Sequence, residues 1–212
     1  VPLLDNGGDA VARLSILQLG KVLLRPGEAF ADIAARPPSS SGVFFGFALW
    51  LGLAPPVFAY IGTMTFGWRL GVEPLILTAP TAAAMAAAYF ALLLVGFLSS
   101  GVVAHWMAST YSADASFGRS FALIALVGAP LTVGSIAHLY PHVLINVVVL
   151  VPALIWSMYL LYRGLPIVLK TDPAHGMLMA SSLVAYLLVA WVSLLGITVV
   201  LWSHGIGPRV LT

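Results

Sequence analysis

The stretch from Phe121 to Tyr162 reads FALIALVGAPLTVGSIAHLYPHVLINVVVLVPALIWSMYLLY and contains no Asp, Glu, Lys or Arg. It divides at Tyr140, Pro141 and His142 into two apolar runs, Phe121 to Leu139 and Val143 to Tyr162. Each has about the 20 residues a helix needs to cross a hydrocarbon core of about 30 Å. Working outward, three more runs qualify: Gly42 to Phe66, Leu75 to Met107 and Met177 to Trp202. Leu75 to Met107 exceeds one crossing. Pro80 fits its first helical turn, so its spanning part is expected to begin near Thr81 and to project past the membrane around His105. A β-barrel is disfavoured, because the runs are continuous rather than alternating and about twice a barrel strand's length.

Composition agrees with a lipid solvent. Hydrophobic residues make up 61% of the chain and charged residues 8%, with a mean hydropathy of +1.05. Soluble domains carry about 25% charged residues, so this chain cannot clothe a globule in solvated side chains. The net charge of +2 and pI near 9.1 are too mild for nucleic-acid binding. With no Cys, disulfides, thiolate nucleophiles and Cys-ligated metals are excluded. The expected architecture is an all-α integral membrane protein: residues 1–40 as an N-terminal segment, 41–204 as a five-helix transmembrane domain, and 205–212 as a short tail.

The N-terminal segment does not resemble a secretory signal, since Asp5 and Asp9 precede no apolar h-region, and it is expected to stay uncleaved. Ile16, Leu19 and Leu23 recur at helical spacing, with Arg13, Lys21 and Arg25 on other sides. After Arg25-Pro26-Gly27 a second short helix is expected from Glu28 to Arg36, with Phe30, Ile33 and Ala34 on one face, stopped by Pro37 and Pro38. Too short to span, both are expected to lie at headgroup level, with Arg13, Lys21 and Arg25 contacting acidic headgroups and the aliphatic faces in the acyl boundary.

Five crossings put Arg13, Lys21, Arg25, Arg36, Arg119, Arg163 and Lys170 on one side and only Arg69 and Arg209 on the other. The excess of basic residues predicts a cytoplasmic N-terminus and an extracytoplasmic C-terminus. Trp68 and Trp202 then fall at the outer interface and Trp106 at the inner one.

Three kinds of candidate site can be weighed. Pro55 and Pro56, Pro130 and Pro152 interrupt crossings near their middles, freeing carbonyls near Leu51, Gly52, Leu126 and Val148. With Thr132, Ser135 and Asn146 these could line a midplane site of a small-solute or ion permease. The bland alternative is that the kinks only shape the bundle. Glu73 and Asp114, the only acids between positions 37 and 162, both belong to loops, so no intramembrane carboxylate is present to couple transport. His138 and His142 lie four apart, but Pro141 spoils a shared helical face for a metal. His105 reads as an interface anchor beside Trp106. No catalytic constellation emerges: Ser99 and Ser100 near His105, and Ser135 near His138, lack a nucleophile elbow, and HExxH and paired intramembrane Asp are absent. No cofactor is expected. Ala79, Ala83 and Ala87, Ala84 and Ala88, then Gly96 and Ser100 repeat at intervals of four, which predicts close approach of the second crossing to a helix of this chain or of a second copy.

Leu24-Arg25-Pro26-Gly27-Glu28-Ala29-Phe30 running through Ile33-Ala34-Ala35-Arg36-Pro37 into a span, and Trp156-Ser157-Met158-Tyr159-Leu160-Leu161-Tyr162-Arg163-Gly164-Leu165-Pro166 closing the fourth crossing, resemble the bacterial branch of the Yip family, the Ypt-interacting membrane proteins. The resemblance implies an inner-membrane protein with a cytoplasmic N-terminus and five crossings. Its matching positions are Arg25, Pro26, Gly27, Glu28, Tyr162, Arg163, Gly164 and Pro166, two groups that could dock at the cytoplasmic face, for example through Glu28 and Arg163. Eukaryotic members carry an Asp-Leu-Tyr-Gly-Pro type motif and a Gly-Tyr pair that are absent here, so GTPase binding is not carried over. The expected role is non-enzymatic organisation of lipids or partner membrane proteins, with the bilayer, other membrane proteins or a second copy as partners.

Because the chain lacks Cys, single cysteines placed at Asn6 and Gly207 can be labelled cleanly. An impermeant maleimide should reach Gly207→Cys from outside intact cells and Asn6→Cys only after lysis; equal labelling of both from one side would contradict five crossings.

Overall fold

A computed structural model describes residues 19–69, 74–111, 113 and 116–204. Arg13, Glu73, Asp114 and the expected tail 205–212 lie outside the described residues, as does the side chain of Trp202. Two short helices, α1 (Leu19–Leu24) and α2 (Pro26–Ala35), precede five long ones. Those five are Ser40–Phe66, Ala79–Thr110, Phe117–Leu139, Val143–Val168 and Pro173–Ser203, called here the first to fifth crossings. All five are long and apolar enough to span a membrane, as the sequence predicts.

The third crossing is the hub. In its most apolar window 61% of residues are buried inside the protein, against 39% in the first crossing and 6–11% in the others. Ala122, Ala125 and Ala129 are fully buried on it, with Phe121, Leu123 and Leu126 between them. Helices associating in lipid gain no hydrophobic driving force from one another, so close approach through small residues and good packing must hold them. Most of the small-residue repeat on the second crossing meets no helix of this chain: Ala79, Ala83, Ala84, Ala87, Ala88 and Gly96 are exposed. Of the repeat only Ser100 is buried; it lies with Gly101, Ala104, Met107 and Ala108 in the later half, where Gly101 lets the Phe121 ring approach its backbone, while Phe90 and Leu94 of the earlier half lie against Gly52 of the first crossing.

The sequence-based ends of four crossings shift, each for a local reason. Leu75 is extended and pairs with Trp68 through two 2.8 Å backbone hydrogen bonds, so the second crossing starts at Ala79, after Thr78, whose Oγ1 accepts from Thr81 N at 3.4 Å. Pro80 occupies its first turn as expected. The third crossing starts at Phe117, not Phe121, because Arg119 and Ser120 are buried against protein rather than placed in a loop. The Tyr162 to Pro166 stretch does not close the fourth crossing; the helix continues through Pro166 to Val168. Lys170, at φ 49°, then makes the turn, and Asp172 Oδ2 accepts from Ala174 N at 3.0 Å to start the fifth crossing at Pro173 rather than Met177.

Of the midplane prolines, Pro55, Pro56 and Pro130 are buried in this packing, whereas Pro152 is exposed. Pro55, Pro56, Pro130 and Pro152 all lie inside helices. Pro55 deprives Leu51 O of its usual donor. Thr132 Oγ1 of the third crossing approaches that carbonyl at 3.3 Å and Gly128 O of its own helix at 3.4 Å. A five-residue π-helical turn, Phe44–Ala48, follows the first α-helical turn of the first crossing, and Trp50 Nε1 donates to Phe45 O there at 3.0 Å. At the far end Gly62 passes so close to the third crossing that a Cβ on it would lie 2.1 Å from His138 O.

Two substitutions should separate these contacts by thermal unfolding of the purified protein. Gly62→Ala forces backbone apart and is expected to cost at least the 1–3 kcal/mol typical of overpacking, roughly. Thr132→Val keeps shape and loses one hydrogen bond, about 1 kcal/mol. Equal and negligible shifts would show that neither contact positions the first crossing.

Candidate functional site

The end of the bundle that carries α1 and α2 holds most of the residues matched at the sequence level. Pro26 opens α2, where its missing N–H costs nothing, and the backbone bond from Arg25 N to Lys21 O at 2.7 Å closes the turn between the helices. Lys21 pairs with Asp32 across the hairpin, and Arg25 Nη1 lies 3.6 Å from Glu28 Oε1. Both pairs are largely exposed, so each is worth about 0–1 kcal/mol and yields readily to competing anions. Glu28 therefore faces Arg25, not Arg163.

The opposite face of the hairpin is apolar and turned inward. Val22 and Phe30 are fully buried, with Ala29 and Ile33 nearly so, and Leu19 packs against the same core. This differs from the expectation that the aliphatic faces lie in the acyl boundary: the described parts of both helices pack on the third and fourth crossings. The reason is a fit to glycine. The Phe30 ring occupies the space a side chain at Gly164 would need, since a Cβ there would lie 2.6 Å from Phe30 Cζ. One turn away, Gly27 runs beside the Arg163 guanidinium, 3.6 Å from its own ideal Cβ position. The hairpin and the Tyr162 to Pro166 stretch are thus brought together by Gly27, Phe30 and Gly164 without an ion pair.

Arg119 is the residue whose role the sequence did not disclose. It reads there as a loop charge, yet only 7% of it is exposed, and Nη2 donates to Ala34 O at 3.1 Å in the last turn of α2. A cation at a helix C-terminus satisfies an orphan carbonyl and complements the dipole. Beside it, a Cβ on Gly118 would lie 2.3 Å from Pro38 O, so the link from α2 to the first crossing is clamped against the start of the third. The signal was the pair Gly118-Arg119 directly before an apolar run.

The remaining motif positions tie the last two crossings together. Tyr162 OH meets Ser181 Oγ at 3.0 Å, and Pro166 packs against Gly176, where a Cβ would lie 3.1 Å from Pro166 Cβ. Arg163 Nη1 donates to Tyr159 OH at 2.9 Å, one turn earlier on the same helix.

The expected midplane group separates into two places. Thr132 and Ser135 stay with Pro55: Ser135 Oγ donates to Thr132 O at 2.6 Å, and the two residues are 9% and 2% exposed. Asn146 instead joins the histidines at the far end. Its Oδ1 meets His138 Nδ1, its Nδ2 donates to His142 O at 3.0 Å, and Tyr89 OH approaches His138 Nε2 at 3.5 Å. His142 turns away to stack on Tyr140, whose ring also lies 5.5 Å from the Arg69 guanidinium carbon. The His138 ring is thus committed to Asn146 and Tyr89. Among the described residues no three His, Asp or Glu side chains gather as a metal would require. His105 makes an edge contact with Phe117 at 5.7 Å.

The matches to known proteins cover most of this assembly. Residues 20–194 match the Yip1 domain family model. The chain is 32% identical over 158 residues to Inner membrane protein YohC of Escherichia coli strain K12, covering 74% of this chain and 81% of that protein. Inner membrane protein YohC of an Escherichia coli O6:H1 strain matches with the same identity and coverage. No solved structure matches the chain. A family match running from α1 into the fifth crossing, with a relative aligned over most of both chains, places this chain in the Yip1 family.

Proposed function

We propose that this protein is a non-catalytic organiser of the bacterial inner membrane, with its hairpin end in the cytoplasm and its C-terminus outside. The observation that carries the reading is the commitment of the hydroxyls a conduction path would use. Thr132 and Ser135 are buried and spend their hydrogen bonds on backbone, one of them on the carbonyl Pro55 exposes. A permease needs such groups facing a water-filled route. The family relative named as an inner membrane protein supports the compartment, and the excess of Lys and Arg at the hairpin end supports the orientation.

In this reading the hairpin works as an electrostatic plate. Its apolar face is used up on the bundle, so Lys21 and Arg25, with Arg13 before them, meet the headgroups of the inner leaflet, each basic residue near an anionic surface contributing about 1 kcal/mol. The exposed pairs with Asp32 and Glu28 are weak enough for lipid phosphates to displace the carboxylates. Leu24, 84% exposed at the end of α1, is the apolar side chain placed to enter the acyl boundary.

The test uses the full chain in liposomes, with an environment-sensitive dye on a cysteine at Ala12. Charge reversal of Arg13, Lys21 and Arg25 to Glu should move the dye from an interfacial to an aqueous spectrum on vesicles containing phosphatidylglycerol. Ion and small-solute leakage should match that of protein-free vesicles. An unmoved dye would remove the electrostatic mechanism, and leakage saturating with solute would replace the organiser with a permease.

A further inference from the structure

Five cations, Lys21, Arg25, Arg36, Arg163 and Lys170, stand at the hairpin end, and they differ in their partners. Lys21 has Asp32 and Arg25 has Glu28, but among the described residues no carboxylate lies within ion-pairing distance of Arg36, Lys170 or Arg163. The Arg163 guanidinium is nonetheless held in place. Nη1 donates to Tyr159 OH at 2.9 Å, and the guanidinium carbon lies 5.8 Å from the centroid of the Tyr159 ring. An exposed Arg that is oriented but uncompensated has donors left for a planar or tetrahedral oxyanion.

What lies beneath it on the same helix face is apolar. Counting back by helical turns from Arg163, the face carries Tyr159, Trp156, Pro152 and Val148, all exposed. Trp156 and Tyr159 lean on one another with ring centroids 5.0 Å apart. The fourth crossing therefore presents a fixed cation at its aqueous end and an aromatic, then aliphatic, track running toward the middle of the span. That sequence of surfaces matches a phosphate over an acyl chain, and the charge balance favours a headgroup with a net negative charge.

We propose that Arg163, positioned by Tyr159, binds the phosphate of an anionic phospholipid whose acyl chain lies along Tyr159, Trp156, Pro152 and Val148. This deepens the organiser reading and rests on it: the hairpin supplies diffuse attraction, whereas Arg163 supplies one stoichiometric site between α2 and the fourth crossing.

Native mass spectrometry of the purified full chain, titrated in detergent with phosphatidylglycerol or phosphatidylcholine of equal acyl length, reads the site as retained lipid per protein. One phosphatidylglycerol should be retained preferentially. Arg163→Gln should weaken that retention about tenfold, as loss of a charge-assisted contact does, while Arg36→Gln, the same charge change at the same end, leaves it unaltered. Tyr159→Phe keeps the charge and removes the hydroxyl that orients it, so it should weaken retention several-fold; it also serves if Arg163→Gln does not fold. Undiminished retention in both variants, or equal retention of phosphatidylcholine, would overturn the site. Displacement by equimolar inorganic phosphate would reassign it to soluble anions and overturn the lipid. The dye at Ala12 separates this from the wider reading: its movement on hairpin charge reversal does not depend on Arg163.

Discussion

The bundle depends on one helix being thin enough to be surrounded. Phe117–Leu139 carries Ala122, Ala125 and Ala129 fully buried, with Gly118 and Gly134 toward its ends. Lipid chains are as apolar as leucine, so burying large aliphatic side chains between membrane helices returns little, and the contact must come from close, dense packing. A small-residue face on the central helix allows several neighbours to approach at once. The first crossing completes the arrangement from its own side, since Gly62 admits the carbonyl of His138 where any side chain would collide.

That central position also fixes what the prolines do. A proline in a membrane helix leaves a carbonyl without a donor, and in a hydrocarbon surround the carbonyl must be answered by protein. Thr132 lies on the hub at the level of Pro55 and reaches Leu51 O, so the kink and the hydroxyl are parts of one joint. Ser135 Oγ then donates a hydrogen bond to the backbone carbonyl of Thr132. Of the polar groups that line up as a candidate pathway along the chain, Thr132 and Ser135 are thus hydrogen-bonded to backbone carbonyls in three dimensions.

Five spans, their order and the placement of Pro80 in a first turn were legible because hydropathy and proline each act within one helix. Helix ends were less so. Thr78 and Asp172 are N-caps whose identity only matters once the preceding chain is known to be extended or turned, and the Trp68–Leu75 pairing is a contact between segments. The Ala repeat of the second crossing illustrates the same limit. Spacing reports that a smooth face exists, not which neighbour meets it, and the exposed Ala83, Ala84, Ala87 and Ala88 lie away from the chain's own helices. Arg119 was hidden for another reason: a charge next to an apolar run reads as a topology marker, whereas its burial depends on where α2 ends in space.

The hairpin shows which forces set position and which remain available for other work. Its visible charges form exposed pairs worth about 0–1 kcal/mol each, too little to hold two helices against a membrane domain. Burying a phenylalanine side chain is worth about 1.5–3 kcal/mol, and Phe30 is buried at a point where Gly164 has no side chain to compete with it. Arg119 adds a charged hydrogen bond from inside the bundle to the end of α2. Apolar packing and one buried cation therefore fix the hairpin, and its surface cations stay outside the joint. A Gly at position 164 and an Arg at 163 then have opposite tasks on adjacent residues. The glycine accepts the hairpin on one face of the fourth crossing, and the arginine, turned about 100° around the same helix, is exposed.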